Sequence, residues 1–173
     1  SKIWQTQRQD LENAGDQVLE ALKSAAKAPP EEGELDEATL DEAYNTFFRV
    51  FDEENGGFGD APKFPTPHNL IFLLRYGNRT GKEPAYAMVE KTLHAMRRGG
   101  IFDQVGHGFH RYSTDAEWFV PHFEKMLYDQ ALLVMAYTEA YLATGREEFA
   151  RTARETIAYV LREMTDPAGG FYS

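Results

Sequence analysis

Three double-glycine segments recur along the chain, and they constrain its fold more than any other feature. Each follows an amphipathic stretch and precedes an apolar residue: Gly56-Gly57-Phe58, Gly99-Gly100-Ile101 and Gly169-Gly170-Phe171. Glycine suits a turn after a helix because it adopts positive φ without strain. A period of this kind predicts stacked αα-hairpins, each with an outer and an inner helix.

Two helical stretches between these turns are apolar on nearly all sides, namely LIFLLRY at 70–76 and MLYDQALLVMAYTEAYLA at 126–143. A helix of that kind is buried on most of its faces. We therefore predict an all-α fold in which αα-hairpins form part of an (α/α)6 toroid with the apolar helices inside. In a toroid the loops that enter the inner helices meet at one mouth, here the loops 56–66 and 99–121.

Capping signals place the helix boundaries. Asp36 is the predicted N-cap of the second helix, and Thr66 with Pro67 starts the third. The predicted helices run from Trp4 to about Ala26, from Asp36 to Phe51, from Thr66 through LIFLLRY, and over Pro84–Arg98, His122–Ala143 and Arg146–Met164. The stretch AAKAPPEEGE is a predicted linker. The organisation is thus a leading helix and linker over 1–33 and a partial toroid of about half the ring over 34–173.

Charge and composition exclude several classes of function. The net charge of −10 and the lack of a Lys/Arg cluster argue against a nucleic-acid partner. The sequence shows no signal-peptide layout and no bilayer-length apolar run, so we predict a cytoplasmic protein without membrane association. The chain has no cysteine, and His107 and His110 lack further ligands, so we predict no metal and no cofactor.

The segment GFHRYSTDAEWFVPHFEKMLYDQ at 108–130 concentrates the polar and aromatic chemistry. Thr114 to Glu117 fits a capping box, and Pro121 is the predicted start of the inner helix. On that helix His122, Lys125 and Asp129 would share one face, with Lys125 and Asp129 at ion-pair spacing. Charges on an otherwise apolar helix must face a wet cavity or be paired. A polar pocket and a buried ion-pair network of Arg111, Lys125 and Asp129 are the two interpretations.

Three motifs resemble one family. GGFGDAPKFP at 56–65, GGIFDQVGHGFHRYSTDAEWFVPHFEKMLYDQALL at 99–133 and the terminal GGFYS are similar to the thioredoxin-domain proteins that include the spermatogenesis-associated protein 20 group. This resemblance implies a thioredoxin-like domain ahead of a helical domain of the six-hairpin glycosidase type, of which the chain matches the first part. Two histidines depart from the family pattern. His107 stands where glycine is usual, and His110 is not always present.

The leading hypothesis is a carbohydrate-active or carbohydrate-binding toroid with acid/base chemistry of a hydrolase or epimerase type. Imidazole is the side chain that ordinarily titrates near neutrality, so His122 is the predicted proton carrier, with Glu124 and Asp129 as carboxylate partners. The predicted substrate-binding residues are Asp60, Lys63, Arg111, Tyr112, Asp115, Trp118 and Lys125. Trp118 would stack on a sugar ring.

The rival hypothesis is a non-catalytic structural or interaction module. In that case the segment at 108–130 plugs the fold and supports the thioredoxin-like domain or a protein partner. Predicted partners are accordingly a small carbohydrate, the rest of the same polypeptide, or a second copy held through apolar inner helices that lack neighbours.

Overall fold

The computed structural model describes residues 2–27 and 36–173, and the chain divides into two compact units, Ser1–Leu35 and Asp36–Ser173. The first unit contains α1 (Lys2–Thr6) and α2 (Arg8–Lys27). The single leading helix predicted from Trp4 is therefore interrupted at Gln7. The predicted linker falls mostly on residues 28–35, which lie outside the described residues.

The second unit consists of two αα-hairpins preceded by one helix. Its helices are α3 (Glu37–Val50), α4 (Pro67–Thr80), α5 (Glu83–Arg98), α6 (Leu127–Thr144) and α7 (Glu147–Glu163). α4 pairs with α5 and α6 with α7, while α4 also packs against α3 and α6. The all-α prediction is confirmed, since the regular strands of the described chain are two dipeptides, β1 (Tyr112–Ser113) and β2 (Pro121–His122). None of the described helices has both the length and the apolar character needed to cross a bilayer.

The core lies between the inner helices α4 and α6 and their outer partners. Leu70, Leu73, Leu93 and Leu133 are wholly buried there. The hydroxyl of buried Tyr137 donates to the carbonyl of Leu93 at 2.7 Å, so the one polar atom of that ring is satisfied. The stretch LIFLLRY is apolar almost all round because α4 has a neighbour on three sides.

Two predicted helix starts are confirmed and one is wrong. The Asp36 carboxylate accepts a hydrogen bond from the Thr39 N–H at 3.2 Å, and α4 begins at Pro67, although Thr66 makes no side-chain cap. The inner helix α6, however, starts at Leu127 and not at His122. β2 pairs antiparallel with β1, so the chain around Pro121 is extended by tertiary pairing. Local capping signals could not show that pairing.

The repeated turn also differs from the predicted one. Its members are Phe51–Phe58, Phe102–Phe109 and Thr165–Phe171, and the two end residues of each form an antiparallel bridge. In each turn the N–H of the aspartate donates at 3.0 Å to the carbonyl of the last glycine. Gly99 and Gly100 do not belong to the repeat. Added Cβ atoms there would lie 2.4 and 2.1 Å from the carbonyl oxygens of Trp118 and Phe119, so these glycines allow a close backbone approach.

His107 occupies a glycine position of this repeat. Its φ of 65° matches the φ of 72° at Gly56, the equivalent residue of the first turn. Positive φ is uncommon for a residue with a side chain. The family pattern of glycine at this position therefore has a conformational reason, and His107 is a component of a turn.

Candidate functional site

The two mouth loops meet, as predicted. Lys63 and Ser113 exchange backbone hydrogen bonds, each with an N···O distance of 2.8 Å. The indole N–H of Trp118 donates to the carbonyl of Asn55 at 3.0 Å. Residues 51–66 and 99–126 thus form one layer at the ends of the inner helices, and this layer carries every predicted site residue except Asp129.

Two lysines close two of the repeated turns. The Lys63 ammonium donates to the Asp52 carboxylate at 2.5 Å and to the Gly56 carbonyl at 3.0 Å. Lys125 does the same in the second turn, with the Asp103 carboxylate at 2.8 Å and the His107 carbonyl at 2.7 Å. We call these pairs the lysine staples. Lys63 is wholly buried, so it offers no surface to a ligand in this structure.

The staples set the charge of their carboxylates. Burial acts to raise the pKa of Asp52, but the hydrogen bonds from Lys63 and from Asn55 outweigh it and hold the pKa at about 2. Asp103 likewise has a pKa far below its ordinary value through Lys125 and the N–H groups of its own turn, against the effect of burial. The ion pair that the spacing of Lys125 and Asp129 suggested is not formed, because Lys125 pairs with Asp103.

Asp115 and Trp118 hold the loop as well. The Asp115 carboxylate accepts from the N–H groups of Glu117, Phe119 and Val120 at 3.0, 2.9 and 2.6 Å and from the Ser113 hydroxyl at 3.0 Å. These bonds take the place of the predicted Thr114–Glu117 capping box. Trp118 is wholly buried, so its ring is not presented to a sugar.

Five other side chains, none of them fully buried, form a group that we call the acid/base cluster: Arg111, Tyr112, His122, Glu124 and Asp129. The pairing of β1 with β2 sets Tyr112 opposite His122, and their rings stack at 4.8 Å and 14°. The ring of Phe64 also packs against Tyr112, with the ring centroids 4.8 Å apart. The helical face predicted for His122, Lys125 and Asp129 is wrong, since Asp129 alone of the three belongs to α6.

The charges of the cluster are arranged around Glu124. Its carboxylate lies 3.0 Å from the Arg111 guanidinium and 3.8 Å from Nδ1 of His122. The Glu124 carbonyl also accepts from the Arg111 N–H at 2.7 Å, which fixes the two residues at the backbone. Both side chains are about 41% exposed, so the pair is open to a polar ligand.

Asp129 is the carboxyl group best suited to proton transfer. Its Oδ2 atom is buried, and no group in the described part of the chain donates a hydrogen bond to it. Burial raises the pKa of Asp129 to about 6, against the charge of Arg111 and with a further contribution from Glu124. A carboxyl with that pKa exchanges a proton near neutral pH, which is the property of a general acid or base.

Asp60 stands apart from both groups. It is exposed on the first mouth loop, and no ion pair or hydrogen bond of its side chain is found within residues 2–27 and 36–173. Two residues that were not predicted do touch the cluster. The Phe64 ring packs at a tilt against Tyr112. The hydrogen bond with Glu124, followed by the interaction with the Tyr128 hydroxyl, raises the pKa of the Arg111 guanidinium. Their signal in the sequence was weak, because aromatic residues are core residues by default.

Comparison with curated proteins shows relatives over much of the chain. Human spermatogenesis-associated protein 20 is 50% identical over 138 residues, which is 78% of this chain and 17% of that protein. The mouse protein of the same name matches equally. An uncharacterized protein of Caenorhabditis elegans is 35% identical over 179 residues, or 98% of this chain and 24% of its own length. The chain thus spans about a fifth of the relatives it matches. No protein-family model matches it.

Comparison with solved structures shows the fold. Cellobiose 2-epimerase from Spirochaeta thermophila superposes with a TM-score of 0.67 at 18% identity, over 82% of this chain and 41% of that one. Cellobiose 2-epimerase from Bacillus thermoamylovorans gives 0.66 at 18% identity over 78% and 39%. A sugar epimerase from a ruminal bacterium gives 0.64 at 16% over 76% and 39%. The six-hairpin glycosidase-like fold is therefore confirmed.

Proposed function

We propose that this chain carries an acid/base site for a small carbohydrate. The premise is that homologues at about 50% identity support its membership of the spermatogenesis-associated protein 20 family. The observation that carries the proposal is the half-buried Asp129, which lies near the Arg111–Glu124 ion pair. Its Oδ2 atom has no hydrogen-bond partner in the described part of the chain. The fold shared with sugar epimerases supports a carbohydrate as the ligand.

The chemistry that this cluster supports best is epimerisation. Glu124 is held by Arg111, so the groups free to exchange a proton are His122 and Asp129. One of them removes the proton from the carbon beside the carbonyl of an open-chain sugar, and the electron pair moves to the carbonyl oxygen. Arg111 stabilises the negative oxygen, and the other group returns a proton to the opposite face of the carbon. The sugar neither gains nor loses water in this step, and the two groups return to their starting protonation by proton exchange with solvent.

The hydrolase version requires a second free carboxylate. Glycoside hydrolysis uses one carboxyl as acid and another as base or nucleophile. Here that second role falls to Glu124, which is ion-paired to Arg111 at 3.0 Å. We therefore place epimerisation first, and the two reactions are separated by their products: an isomer of the same mass, or two smaller sugars.

One observation favours the non-catalytic module as a second candidate. Lys63, Asp115, Trp118 and Lys125, all predicted to bind substrate, instead hold the mouth loops together. A segment with so many structural contacts suits a scaffold for a partner. This candidate predicts an intact fold without any sugar-dependent proton exchange.

The test is proton exchange in deuterated buffer. The chain is incubated with cellobiose, glucose and mannose, and NMR follows loss of the H2 signal and formation of the C2 epimer. We expect exchange that falls at least about 100-fold in Asp129→Asn and in His122→Gln, at unchanged melting temperature or higher. His68→Gln is the matched control, because His68 is an exposed histidine on α4.

Three results are decisive. Exchange that survives Asp129→Asn overturns the role of this residue. Saturable shifts of the Tyr112 ring without exchange support a binding module. The absence of both shifts and exchange with all three sugars overturns the carbohydrate proposal.

A further inference from the structure

A group of unpaired cations lies away from the acid/base cluster. Most Lys and Arg side chains that the structure describes form an ion pair. Within residues 2–27 and 36–173, the side chains that are described without one are Arg49, Lys91, Arg98 and Arg151. In a chain with a net charge of −10, carboxylates are abundant. Cations that remain unpaired are therefore candidates for binding an anionic ligand.

Three of these four cations line two adjoining clefts. Lys91 and Arg98 lie seven residues apart on one face of α5, with His94 between them. Arg98 and His94 line both clefts. The first, of about 410 Å³, lies between α5 and α7 and receives Arg151 from the facing helix. The second, of about 540 Å³, lies between α5 and the mouth loops and is lined by Lys91.

The charge of the first cleft is positive overall. Arg97 is neutralised by Glu155 at 2.9 Å, while Arg98 and Arg151 have no carboxylate. The carboxylate lining this cleft is Glu148, which is shared between His94 at 3.2 Å and Arg146 at 3.6 Å. Glu54 and Glu117 line the second cleft and balance the charges of Lys91 and Arg98 there. Two guanidinium groups from facing helices, Arg98 and Arg151, therefore line the same cleft without a carboxylate partner in the part of the chain that is described.

His94 completes the polar lining. Burial lowers the pKa of His94, and the charges of Arg98 and Arg146 act in the same direction, against those of Glu148 and Glu90. A neutral imidazole donates one N–H without adding a charge. Its ring packs on Phe149 at 4.9 Å, which gives the cleft an apolar wall.

We propose that the first cleft binds the phosphate group of a small molecule between Arg98 and Arg151, beside His94. Guanidinium groups recognise phosphate through paired N–H donors, and two of them on opposite walls suit a doubly charged tetrahedral anion. The site lies between α5 and α7, so it does not depend on the proposed function of the mouth loops.

The test is an NMR titration of the intact chain that follows the ring signals of His94. The probes are inorganic phosphate and glucose 6-phosphate, with sodium chloride and unphosphorylated glucose as references, all at constant ionic strength. We expect saturable shifts with both phosphates and a rise of the pKa of His94 as the anion binds. Tighter binding of the ester identifies a phosphorylated small molecule, and equal binding identifies free phosphate.

Variants decide between a site and a general charge effect. Arg98→Gln and Arg151→Gln should each weaken phosphate binding at least about 10-fold, as expected for a charge-assisted hydrogen bond. Arg49→Gln removes an unpaired cation of α3 that lines neither cleft, and it should leave binding unchanged. The proposal is overturned by equal losses in all three variants, by equal shifts with chloride, or by no response to either phosphate.

Discussion

Replacing Asp129 by Asn should stabilise the fold above neutral pH. The unfolded carboxyl has its ordinary pKa of 3.8, whereas burial raises the pKa of the folded one to about 6. Between these values the folded chain holds a proton that the unfolded chain has released, so stability falls as pH rises through this window. The penalty is absent well below pH 3.8 and complete above pH 6.

The size of the effect follows from the same two pKa values. Each tenfold change in proton affinity is worth about 1.4 kcal/mol, so the unscreened penalty is about 3 kcal/mol. Asp129 is only half-buried, and solvent screening reduces this to about 1–2 kcal/mol. Asparagine keeps the shape and carries no charge. We therefore expect Asp129→Asn to gain about 1–2 kcal/mol at pH 7.5 and about 0.5 kcal/mol or less at pH 4.

Urea denaturation, followed by tryptophan fluorescence to which buried Trp118 contributes, measures this difference at the two pH values. The staple carboxylates titrate alike in both chains and cancel in the comparison. Asp60→Asn, on an exposed aspartate, is the control and should change stability by less than about 0.5 kcal/mol. Our reasoning is refuted if Asp129→Asn is less stable than the parent at pH 7.5, or if the gain is the same at pH 4.

Further perturbations test the layer around the site. Lys63→Met leaves the Asp52 carboxylate without its staple and should cost on the order of 3 kcal/mol in urea denaturation near neutral pH; a loss under 1 kcal/mol would count against the staple. Because the folded pKa of Asp52 is about 2, its contribution is present above pH 3.8 and is lost as pH falls through 2. Gly57→Ala should cost about 2 kcal/mol more than Gly59→Ala, since φ is positive at both but only a Cβ at Gly57 would meet the buried indole, at 2.5 Å; equal losses contradict this. We also expect the chain to self-associate through the apolar groove between α6 and α7, and Leu161→Glu to reduce that association in sedimentation experiments; a monomeric parent chain would be the contrary result.

Local signals in the sequence predicted most of the helices, but not the start of α6 at Leu127 or the break at Gln7. Asp36 and Pro67 mark helix starts through capping and fixed φ, which act within one turn, so they could be recognised without the fold. The alternation of apolar and amphipathic stretches likewise predicted which helices lie inside. The sequence also contains the repeat found in the structure, as FDEENGGF at 51–58 and FDQVGHGF at 102–109. The prediction instead equated Gly99-Gly100 with Gly56-Gly57, so it assigned the wrong residues to the second turn.

The site itself depended on contacts between distant residues. Lys125 forms its ion pair with Asp103, 22 residues away, and not with Asp129, which is nearer in sequence. Because Lys125 pairs with Asp103, Asp129 has no cation in direct contact among the described residues, and burial can raise its pKa. His122 faces Tyr112 because two short segments pair as strands, and neither segment has a pattern that predicts a strand. Periodicity and caps report the energetics of a few successive residues, whereas the partner of a buried charge is chosen by the packing of loops that only the complete fold brings together.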